Sequence, residues 1–450
     1  MNRTYTILLL IPLFVCNILH AQDNVAPNDT ALIDLTFLEV VTDSSEIGYD
    51  IPKSLAVHAV MMEDDSELPL GMSLDIDSIL NSWHTLNLLE SLNCDAYTVD
   101  PQSISDTVYA ERLYKIPAVI EMTYNKEVRK HINTYASSSQ LVPYLLGIAH
   151  FYLPLFEEAI DRYGLPHELK YLPVIESAMK PQAISRAGAK GLWQFMYGTG
   201  KIYGLKSNNY IEERFDPIKS TDAAMRHLSM LYNMFGDWQL ALAAYNCGEG
   251  NVKKAIRRSG GKTKFWEIYR FLPKETRGYV PAFIAANYIM TYHQEHGICP
   301  MEPKIPIATD TIHISRNLHF EQISRLCNID IEEIRAINPQ YVRDVIPGEN
   351  ESCVLRLRNE SITRLIMLGD SVYTYNEEKY FPKEKVGEIL KEAANNHDTG
   401  NGKYITYKVR KGDTLGKIAG KYRVSVKQLR SWNNLKNNNI GIGRVLRIYK

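Results

Sequence analysis

The sequence predicts a multidomain chain, in which an all-α domain over residues 106–300 is followed by two small βααβ modules. Three observations support this fold class. Apolar residues recur at helical spacing between about Glu111 and Glu295. One pattern of apolar residues then occurs twice at a constant shift of 95 positions. A polar stretch that contains glycine, residues 395–403, precedes the second copy and has the composition of a linker.

Length and charge narrow the class of protein. The chain has 450 residues, which is enough for two to four domains. Its 51 basic and 52 acidic residues give a formal net charge of −1. Nucleic-acid binders usually carry a basic face, so no nucleic-acid partner is expected. A polysaccharide substrate requires no net charge.

The N-terminus has the pattern of a signal peptide over residues 1–21. Arg3 precedes an apolar run at 6–15 that is too short to span a membrane, and Ala21 offers a cleavage point. We therefore expect an exported protein of the periplasm or cell envelope. Cys16 raises the alternative of a lipid anchor and association with the outer membrane, but Val15 stands where a small residue is normally required.

The cysteines indicate no metal site. Cleavage after Ala21 would leave an odd number of them, without the paired spacing of metal ligands. A disulfide between Cys327 and Cys353 and a set of scattered core thiols both fit the sequence. We predict no metal and no cofactor. The remaining five are Cys94, Cys247, Cys299, Cys327 and Cys353.

Helix signals are clearest within residues 106–300, whereas residues 22–105 are acidic, irregular and without a recognisable role. Ser220 or Thr221 is predicted to cap a helix that Gly236 ends. Pro166 is predicted to open another helix, at an early position where its missing N–H costs nothing. Helical spacing relates Leu141, Leu145, Ile148 and Tyr152, and also Leu228, Leu231 and Phe235.

The repeated pattern defines modules at 311–358 and 403–450, joined by a connecting segment and linker at 359–402. In the second copy, residues 405–409 alternate as a strand, Asp413 or Thr414 caps a helix, and Ser425 caps another. Residues 445–448 supply a returning strand, which completes a βααβ unit. The shift aligns Phe320, Ile323, Ile329, Ile331, Ile334 and Asn338 with Leu415, Ile418, Val424, Val426, Leu429 and Asn433.

Glu176 is the first candidate for chemistry. Leu169 and Leu172 lie seven and four residues before it, so the carboxyl group is predicted to share the apolar face of its own helix. Burial disfavours the charged form and raises the pKa of a carboxyl group. A protonated acid in an apolar cleft suits glycosidic bond cleavage, in which the leaving oxygen needs a proton.

Three further motifs follow Glu176-Ser177 in order. They are Gly-Leu-Trp-Gln-Phe-Met at 191–196, Ala-Tyr-Asn-x-Gly-x-Gly at 244–250 and Glu-Thr-Arg-Gly-Tyr-Val-Pro at 275–281. In this order they resemble the motifs of the soluble-type lytic transglycosylase domain, which is related in fold to goose-type lysozyme. The βααβ units resemble LysM peptidoglycan-binding modules, closely at 403–450 and more divergently at 311–358.

The resemblance implies a role for each matching residue. Glu176 is the expected catalytic acid and base, and peptidoglycan glycan strands are the expected partner. Cleft residues that would position the sugars are Ser177, Ser185, Gln194, Met196, Tyr245, Asn246 and Tyr279. In the second LysM copy, the expected glycan-binding residues are Gly412, Asp413, Thr414 and Asn433. The first copy has Asn317-Leu318-His319 where the second has Gly-Asp-Thr, which argues against glycan binding there.

The resemblance also implies the reaction, a non-hydrolytic cleavage of the β-1,4 bond after N-acetylmuramic acid that leaves a 1,6-anhydro end. The substrate's N-acetyl group assists, so no second protein carboxylate is needed, an exception to the usual pair. A hydrolytic muramidase would use such a carboxylate, for which Asp216, Asp222 and Glu249 are candidates. A non-catalytic wall-binding protein would lack the acid, and Glu176 is present.

Overall fold

The structure is a computed structural model that describes residues 67–90, 99–303 apart from 139, 309–395, and 404–449 apart from 411, 423, 434, 436 and 442. The predicted signal peptide, Cys16 and much of the region 22–105 lie outside these residues. Within the described ranges, no helix is both long enough and apolar enough to cross a membrane.

A helical domain surrounds one large apolar core. Three long helices, Leu141–Tyr163, Pro217–Phe235 and Lys274–Tyr292, supply much of that core. The other α-helices of this domain are Asp106–Lys115, Lys126–Ala136, Leu172–Ser177, Tyr197–Ile202, Trp238–Cys247, Glu249–Arg258 and Phe265–Ile268. Short 3₁₀-helices complete it at Pro101–Ser103, His167–Tyr171, Tyr269–Phe271 and Gln294–His296.

The helix Pro217–Phe235 corrects one predicted boundary. Its N-cap is Asp216, whose carboxylate accepts hydrogen bonds from the backbone N–H groups of Ile218 and Lys219. Ser220 and Thr221, the predicted caps, lie inside the first turns, and their hydroxyls donate back to backbone carbonyls. Gly236 ends the helix in the left-handed conformation, as predicted.

The segment that carries Glu176 is also shorter than predicted. Gly164 ends the preceding helix at φ 61°, and Pro166 opens a 3₁₀-helix over His167–Tyr171. The α-helix Leu172–Ser177 follows, so Leu169 lies outside the helix of Glu176. Apolar burial around Glu176 therefore comes from packing between elements as well as from its own helix.

The region before residue 106, in which the sequence shows no recognisable motif, packs against the helix that carries Glu176. The helices Leu70–Ser73, Ile76–Leu80 and Trp83–Leu88 lead to the strand Leu89–Glu90, which pairs antiparallel with Glu302–Pro303. Gly71 contacts the helix Leu172–Ser177 so closely that an added Cβ would lie 2.0 Å from the Val174 carbonyl oxygen. Only glycine permits that approach.

The first module has a βααβ order with an additional strand pair. Strand Thr309–Ile314 pairs antiparallel with Cys353–Arg358, and Asn317–His319 pairs with Val345–Pro347. The helices Phe320–Cys327 and Ile331–Ile337 lie between the strands. Cys327 and Cys353 are free thiols in its core, so the alternative of a disulfide between them is wrong, whereas Cys299 is disulfide-bonded.

The segment 359–402 was predicted to be a connecting segment that ends in a linker at 395–403. The connecting segment is largely helical, and residues 396–403 lie outside the described residues. The helices are Asn359–Leu368, Ser371–Thr374, Glu377–Tyr380 and Lys383–Asn395. Ile362, Leu365 and Val372 are buried in the core of the first module. Ile362 and Leu365, three residues apart, share one face of the helix Asn359–Leu368, and Val372 adds to this packing from the next helix.

The second module has the predicted βααβ order. Strands Tyr404–Lys408 and Val445–Tyr449 pair antiparallel, and the helices Leu415–Tyr422 and Val426–Trp432 lie between them. Thr414 Oγ1 accepts from the Lys417 N–H at 3.2 Å and Ser425 Oγ from the Gln428 N–H at 3.1 Å, so these two residues cap the helices.

Candidate active site

Glu176 lies in the last turn of the helix Leu172–Ser177 and is half-buried. Burial raises the pKa of its carboxyl group from 4.5 to about 8, and the charge of Glu275 adds to the increase. A hydrogen bond from Tyr279 acts in the opposite direction but does not cancel the cost of burial. Glu176 therefore carries a proton at neutral pH, as an acid catalyst must before the reaction.

Two tyrosines lie close to this carboxyl group. The Tyr279 hydroxyl donates a hydrogen bond to Glu176 Oε1. The Tyr245 hydroxyl donates to the Trp193 carbonyl oxygen at 2.8 Å. Burial and then the charge of Glu176 raise the pKa of both phenols well above the usual value, so both remain hydrogen-bond donors across the physiological range.

The backbone that follows Glu176 turns sharply. Ser177 is buried, and its hydroxyl donates to the Leu192 carbonyl oxygen at 2.9 Å, which ties the helix to the second motif. Ala178 and Met179 then adopt positive φ values of 48° and 56°. Two successive non-glycine residues in this conformation are unusual, and such strain concentrates at functional sites.

The second motif closes a compact turn over residues 183–195. Antiparallel bridges join Lys190 to Ile184 and to Phe195. Gln194, at φ 46°, donates from Nε2 to the Gly191 and Ala183 carbonyl oxygens at 2.8 and 3.3 Å. Within the described residues, its Oε1 has no partner and can accept a hydrogen bond.

Ser185 and Met196 lie at the two ends of this turn. Ser185 Oγ accepts from the Ala189 N–H at 3.1 Å, which leaves its own proton free to donate. Met196 caps the helix Tyr197–Ile202 and is 46% exposed, a large exposure for an apolar side chain. Both side chains are thus at least partly accessible to solvent.

The third and fourth motifs are joined by a direct side-chain contact. Asn246 Oδ1 accepts a hydrogen bond of 2.7 Å from the Thr276 hydroxyl. Thr276 is buried and was missed in the sequence, although it lies within the motif that contains Tyr279. Glu275, next to it, is exposed and was also missed.

The carboxylates proposed for a muramidase have other contacts. Asp216 caps its helix, and Asp222 accepts hydrogen bonds from the Tyr163 hydroxyl at 2.6 Å and from Arg226 Nε at 3.0 Å. Glu249 is exposed, and its charge acts on His227 and Tyr203.

An aromatic group beside Tyr245 was not recognised in the sequence. The ring centroids of Phe195, Tyr203 and His227 lie 5.1 to 6.3 Å from one another, and those of Phe195 and His227 lie 6.4 and 5.2 Å from the Tyr245 ring. Tyr203 Oη and His227 Nδ1 are 2.9 Å apart. Burial lowers the pKa of His227 to about 4, so its ring is neutral at neutral pH.

In the second module, two of the four predicted glycan-binding residues serve the module's own backbone. Asn433 Nδ2 donates to the Leu429 and Arg447 carbonyl oxygens, and its Oδ1 accepts from the Arg447 N–H at 2.7 Å. Asp413 Oδ2 accepts from the Tyr407 hydroxyl and the Arg410 N–H, both at 2.8 Å.

The other two predicted residues lie in the loop before the first helix of that module. Gly412 is at φ 91°, a conformation that other residues rarely adopt. Thr414 caps the helix through its oxygen and keeps its hydroxyl proton available. No group of His, Cys, Asp or Glu side chains is suited to hold a metal ion in the part of the chain that the structure describes.

Comparison with known families assigns three segments. Residues 154–268 match the transglycosylase SLT domain, and residues 407–448 match the LysM domain. Residues 308–374 match the LysM-like domain of the lytic transglycosylase MltD. Over these segments the chain is similar to MltD-type lytic transglycosylases. The predicted fold class, a helical lysozyme-like domain followed by LysM modules, is confirmed by the same matches.

Individual relatives agree with this assignment. Membrane-bound lytic murein transglycosylase D of Escherichia coli strain K12 is 29% identical over 340 residues, which cover 72% of this chain and 69% of that protein. Soluble lytic murein transglycosylase of the same strain is 31% identical over 123 residues, which cover 26% of this chain and 19% of that protein.

A solved structure of the 70 kDa soluble lytic transglycosylase from Escherichia coli is 28% identical, with a TM-score of 0.28. It covers 32% of this chain, and the match covers 24% of its own length.

Proposed function

We propose that the chain cleaves the β-1,4 bond between N-acetylmuramic acid and N-acetylglucosamine in peptidoglycan, with Glu176 as the only protein acid and base. The observation that supports this proposal is a half-buried carboxyl group with a pKa of about 8 that accepts a hydrogen bond from Tyr279. Its protonated form at neutral pH is the form that a leaving oxygen requires.

The reaction has two proton transfers. Glu176 gives its proton to the glycosidic oxygen as the bond from that oxygen to C1 of muramic acid breaks, and the substrate's N-acetyl group stabilises C1. The C6 hydroxyl oxygen of the same sugar then bonds to C1 and gives its proton to the Glu176 carboxylate. The 1,6-anhydro product forms without water, because an oriented intramolecular hydroxyl competes well with solvent. Glu176 is again protonated at the end.

The tyrosines assist at different stages of this cycle. Tyr279 donates to the Glu176 carboxylate and stabilises its ionised form between the two proton transfers. Tyr245 fixes the Trp193 carbonyl and hence the turn that carries Gln194. The free acceptor of Gln194 and the free donor of Ser185 are suited to the N–H and C=O groups of N-acetyl sugars.

Product analysis tests the reaction. We expect the purified full chain to release muropeptides with 1,6-anhydro ends from glycan strands, detected by mass spectrometry, and we expect Glu176→Gln to release none above background. Glu158→Gln is the matched control, because Glu158 is exposed and forms a surface ion pair with Arg162 of the same helix. Reducing muramic ends would instead identify a hydrolase, and full activity of Glu176→Gln would refute the role of this residue.

We further propose that the second module holds the enzyme on the polymer and that the chain acts in the cell envelope. Attachment raises the local concentration of glycan at the cleft. Since the amides of Asn433 and the carboxylate of Asp413 are committed to the module's backbone, glycan contacts fall to the backbone of 412–414 and to Thr414. A variant without residues 403–450 should lose most of its retention on insoluble peptidoglycan, and unchanged retention would contradict this role.

A further inference from the structure

A loop of the helical domain, residues 206–216, is anchored in the first module. Tyr210 is only 2% exposed and packs with Val345 of the module and with Tyr380 and Phe381 of the helices that follow it. Ile211 is 5% exposed and belongs to the apolar core of the module itself. Both side chains are therefore removed from water by the module and not by their own domain.

Backbone hydrogen bonds fix the loop in this position. Ile211 forms an antiparallel bridge with Tyr341. On either side, the Glu212 N–H donates to the Gln340 carbonyl oxygen at 2.8 Å and the Val342 N–H donates to the Tyr210 carbonyl oxygen at 3.1 Å. The module thus specifies the path of the backbone from Tyr210 to Glu212.

The same loop extends to the catalytic cleft through one buried ion pair. Arg214 donates from Nε and Nη2 to the two carboxylate oxygens of Glu212 at 2.8 and 2.7 Å. Its Nη1 donates to the carbonyl oxygens of Gly188 and Phe195 at 3.3 and 3.2 Å. Arg214 therefore binds the turn on which Ser185 and Gln194 are carried at two points, its middle and its C-terminal end.

The backbone of this turn also rests on the loop. Gly191, at φ 86°, lies so close that an added Cβ would be 1.8 Å from the Arg214 carbonyl oxygen. A guanidinium group is suited to this junction, because its planar fork can satisfy a carboxylate and two carbonyl groups at once. Continuous contacts thus run from the first module through Tyr210, Glu212 and Arg214 to the cleft.

We propose that the first LysM-like module is a positioning element of the catalytic domain, which acts through Arg214 on the turn that binds the sugar. Its fixed attachment to the loop gives it a role other than retention on the polymer. The inference rests on the proposed function only for the assignment of that turn to the substrate.

The main test removes the anchors and leaves the catalytic groups intact. In the full chain, the double variant Tyr210→Ala/Ile211→Ala should lower kcat/KM on soluble, uncrosslinked glycan strands by about tenfold or more, since small displacements of positioning groups have effects of this size. Its retention on insoluble peptidoglycan should equal that of the wild type. Activity within twofold of the wild type would overturn the proposal.

A control distinguishes positioning from general damage to the module. Leu365→Ala opens a cavity in the same module core, on the helix Asn359–Leu368, without removing an anchor. We expect its activity to stay within twofold of the wild type. Hydrogen exchange measured by mass spectrometry should be faster over residues 183–196 in the anchor variant than in Leu365→Ala. Equal losses of activity and equal exchange in the two variants would also overturn the proposal.

Arg214→Lys tests the last contact independently of the anchors. Lysine keeps the charge opposite Glu212 but cannot reach both carbonyl groups of the turn, so we expect a fall in kcat and a rise in KM with the fold retained. Wild-type kinetics for this variant would refute the role of Arg214. If the wild-type chain itself cleaves no glycan, the proposed function is wrong. If the wild type is active and the anchor variant is equally active, only the positioning role of the module is wrong.

Discussion

Glu212 is buried and Glu176 is half-buried, and the pKa values of these two carboxyl groups of the helical domain move in opposite directions. Burial raises the pKa in both cases. At Glu212, hydrogen bonds and charge from Arg214, together with the charge of Lys190, outweigh burial and lower the pKa. At Glu176, one phenol is the compensating partner, and the pKa rises to about 8. The neighbouring side chain, and not burial itself, therefore decides whether a buried glutamate is ionised or protonated.

The largest expected difference concerns stability. Glu212→Gln leaves the Arg214 guanidinium buried without a countercharge, and the loss of one partner from such a pair costs about 3–5 kcal/mol. Glu176 must take up a proton when the chain folds at neutral pH, because its pKa rises from 4.5 to about 8, so Glu176→Gln removes that cost and should be at least as stable as the wild type. Urea denaturation of both variants at neutral pH measures the contrast. Equal losses would show that the two carboxyl groups are held in the same way.

The pH dependence of stability should have opposite signs at the two sites. The pKa of folded Glu176 lies above its ordinary value of 4.5, so its contribution to stability is complete below 4.5 and is lost as pH rises towards 8. Glu212 has a lowered pKa, so its contribution is present above 4.5 and is lost as pH falls through the lower folded value. The stability of Glu176→Gln relative to the wild type should therefore increase as pH rises. The stability of Glu212→Gln relative to the wild type should increase as pH falls.

Urea unfolding at about pH 5 and about pH 8 checks the sign at Glu176, and unfolding at about pH 3 and about pH 5 checks the sign at Glu212. The control is the double variant, whose stability should depend least on pH over the two ranges together. If the stability of Glu176→Gln relative to the wild type decreases as pH rises, the raised pKa of Glu176 is contradicted.

A smaller effect is expected where the partner of Glu176 is changed. Tyr279→Phe removes the hydrogen bond that lowers the pKa of Glu176, so the alkaline limb of the activity profile should move to higher pH. We expect kcat to fall by about tenfold, since the ionised carboxylate loses a donor between the two proton transfers. Tyr288→Phe is the matched control, because it removes a buried hydroxyl from the same helix without touching Glu176. An unshifted profile in Tyr279→Phe would exclude this partnership.

Local and periodic features of the fold could be predicted from the sequence. The shift of 95 positions aligned Asn338 with Asn433, and both side chains bind a helix carbonyl and the returning strand in the same way. Gly236 ends its helix because a left-handed residue is needed there. The N-cap of the same helix was predicted wrongly at Ser220 or Thr221, although the Asp216-Pro217 pair is a strong N-cap signal.

Contacts between distant segments could not be predicted in the same way. Nothing near Gly71 in the sequence indicates that it packs on the helix of Glu176, and Glu212 and Arg214 read as ordinary surface charges in a polar loop. The backbone of Glu212 is bound by Gln340 of the first module, more than a hundred residues later. The roles of Ser185, Gln194, Met196 and Asn246 stay predictions, because contacts within the chain identify donors and acceptors but not the sugar group that each would bind.

The smallest expected effect concerns the second cation at Glu212. Lys190 Nζ lies 3.0 Å from Glu212 Oε2, but its side chain is 28% exposed and Arg214 already satisfies both carboxylate oxygens. Lys190→Met should therefore lower the free energy of unfolding by less than about 1 kcal/mol, the usual range for pairs in contact with solvent. The bridges of Lys190 to Ile184 and Phe195 are formed by its backbone and should persist, so kcat/KM should stay within about twofold. A loss in urea denaturation as large as that of Glu212→Gln would mean that Lys190, and not Arg214, keeps Glu212 ionised.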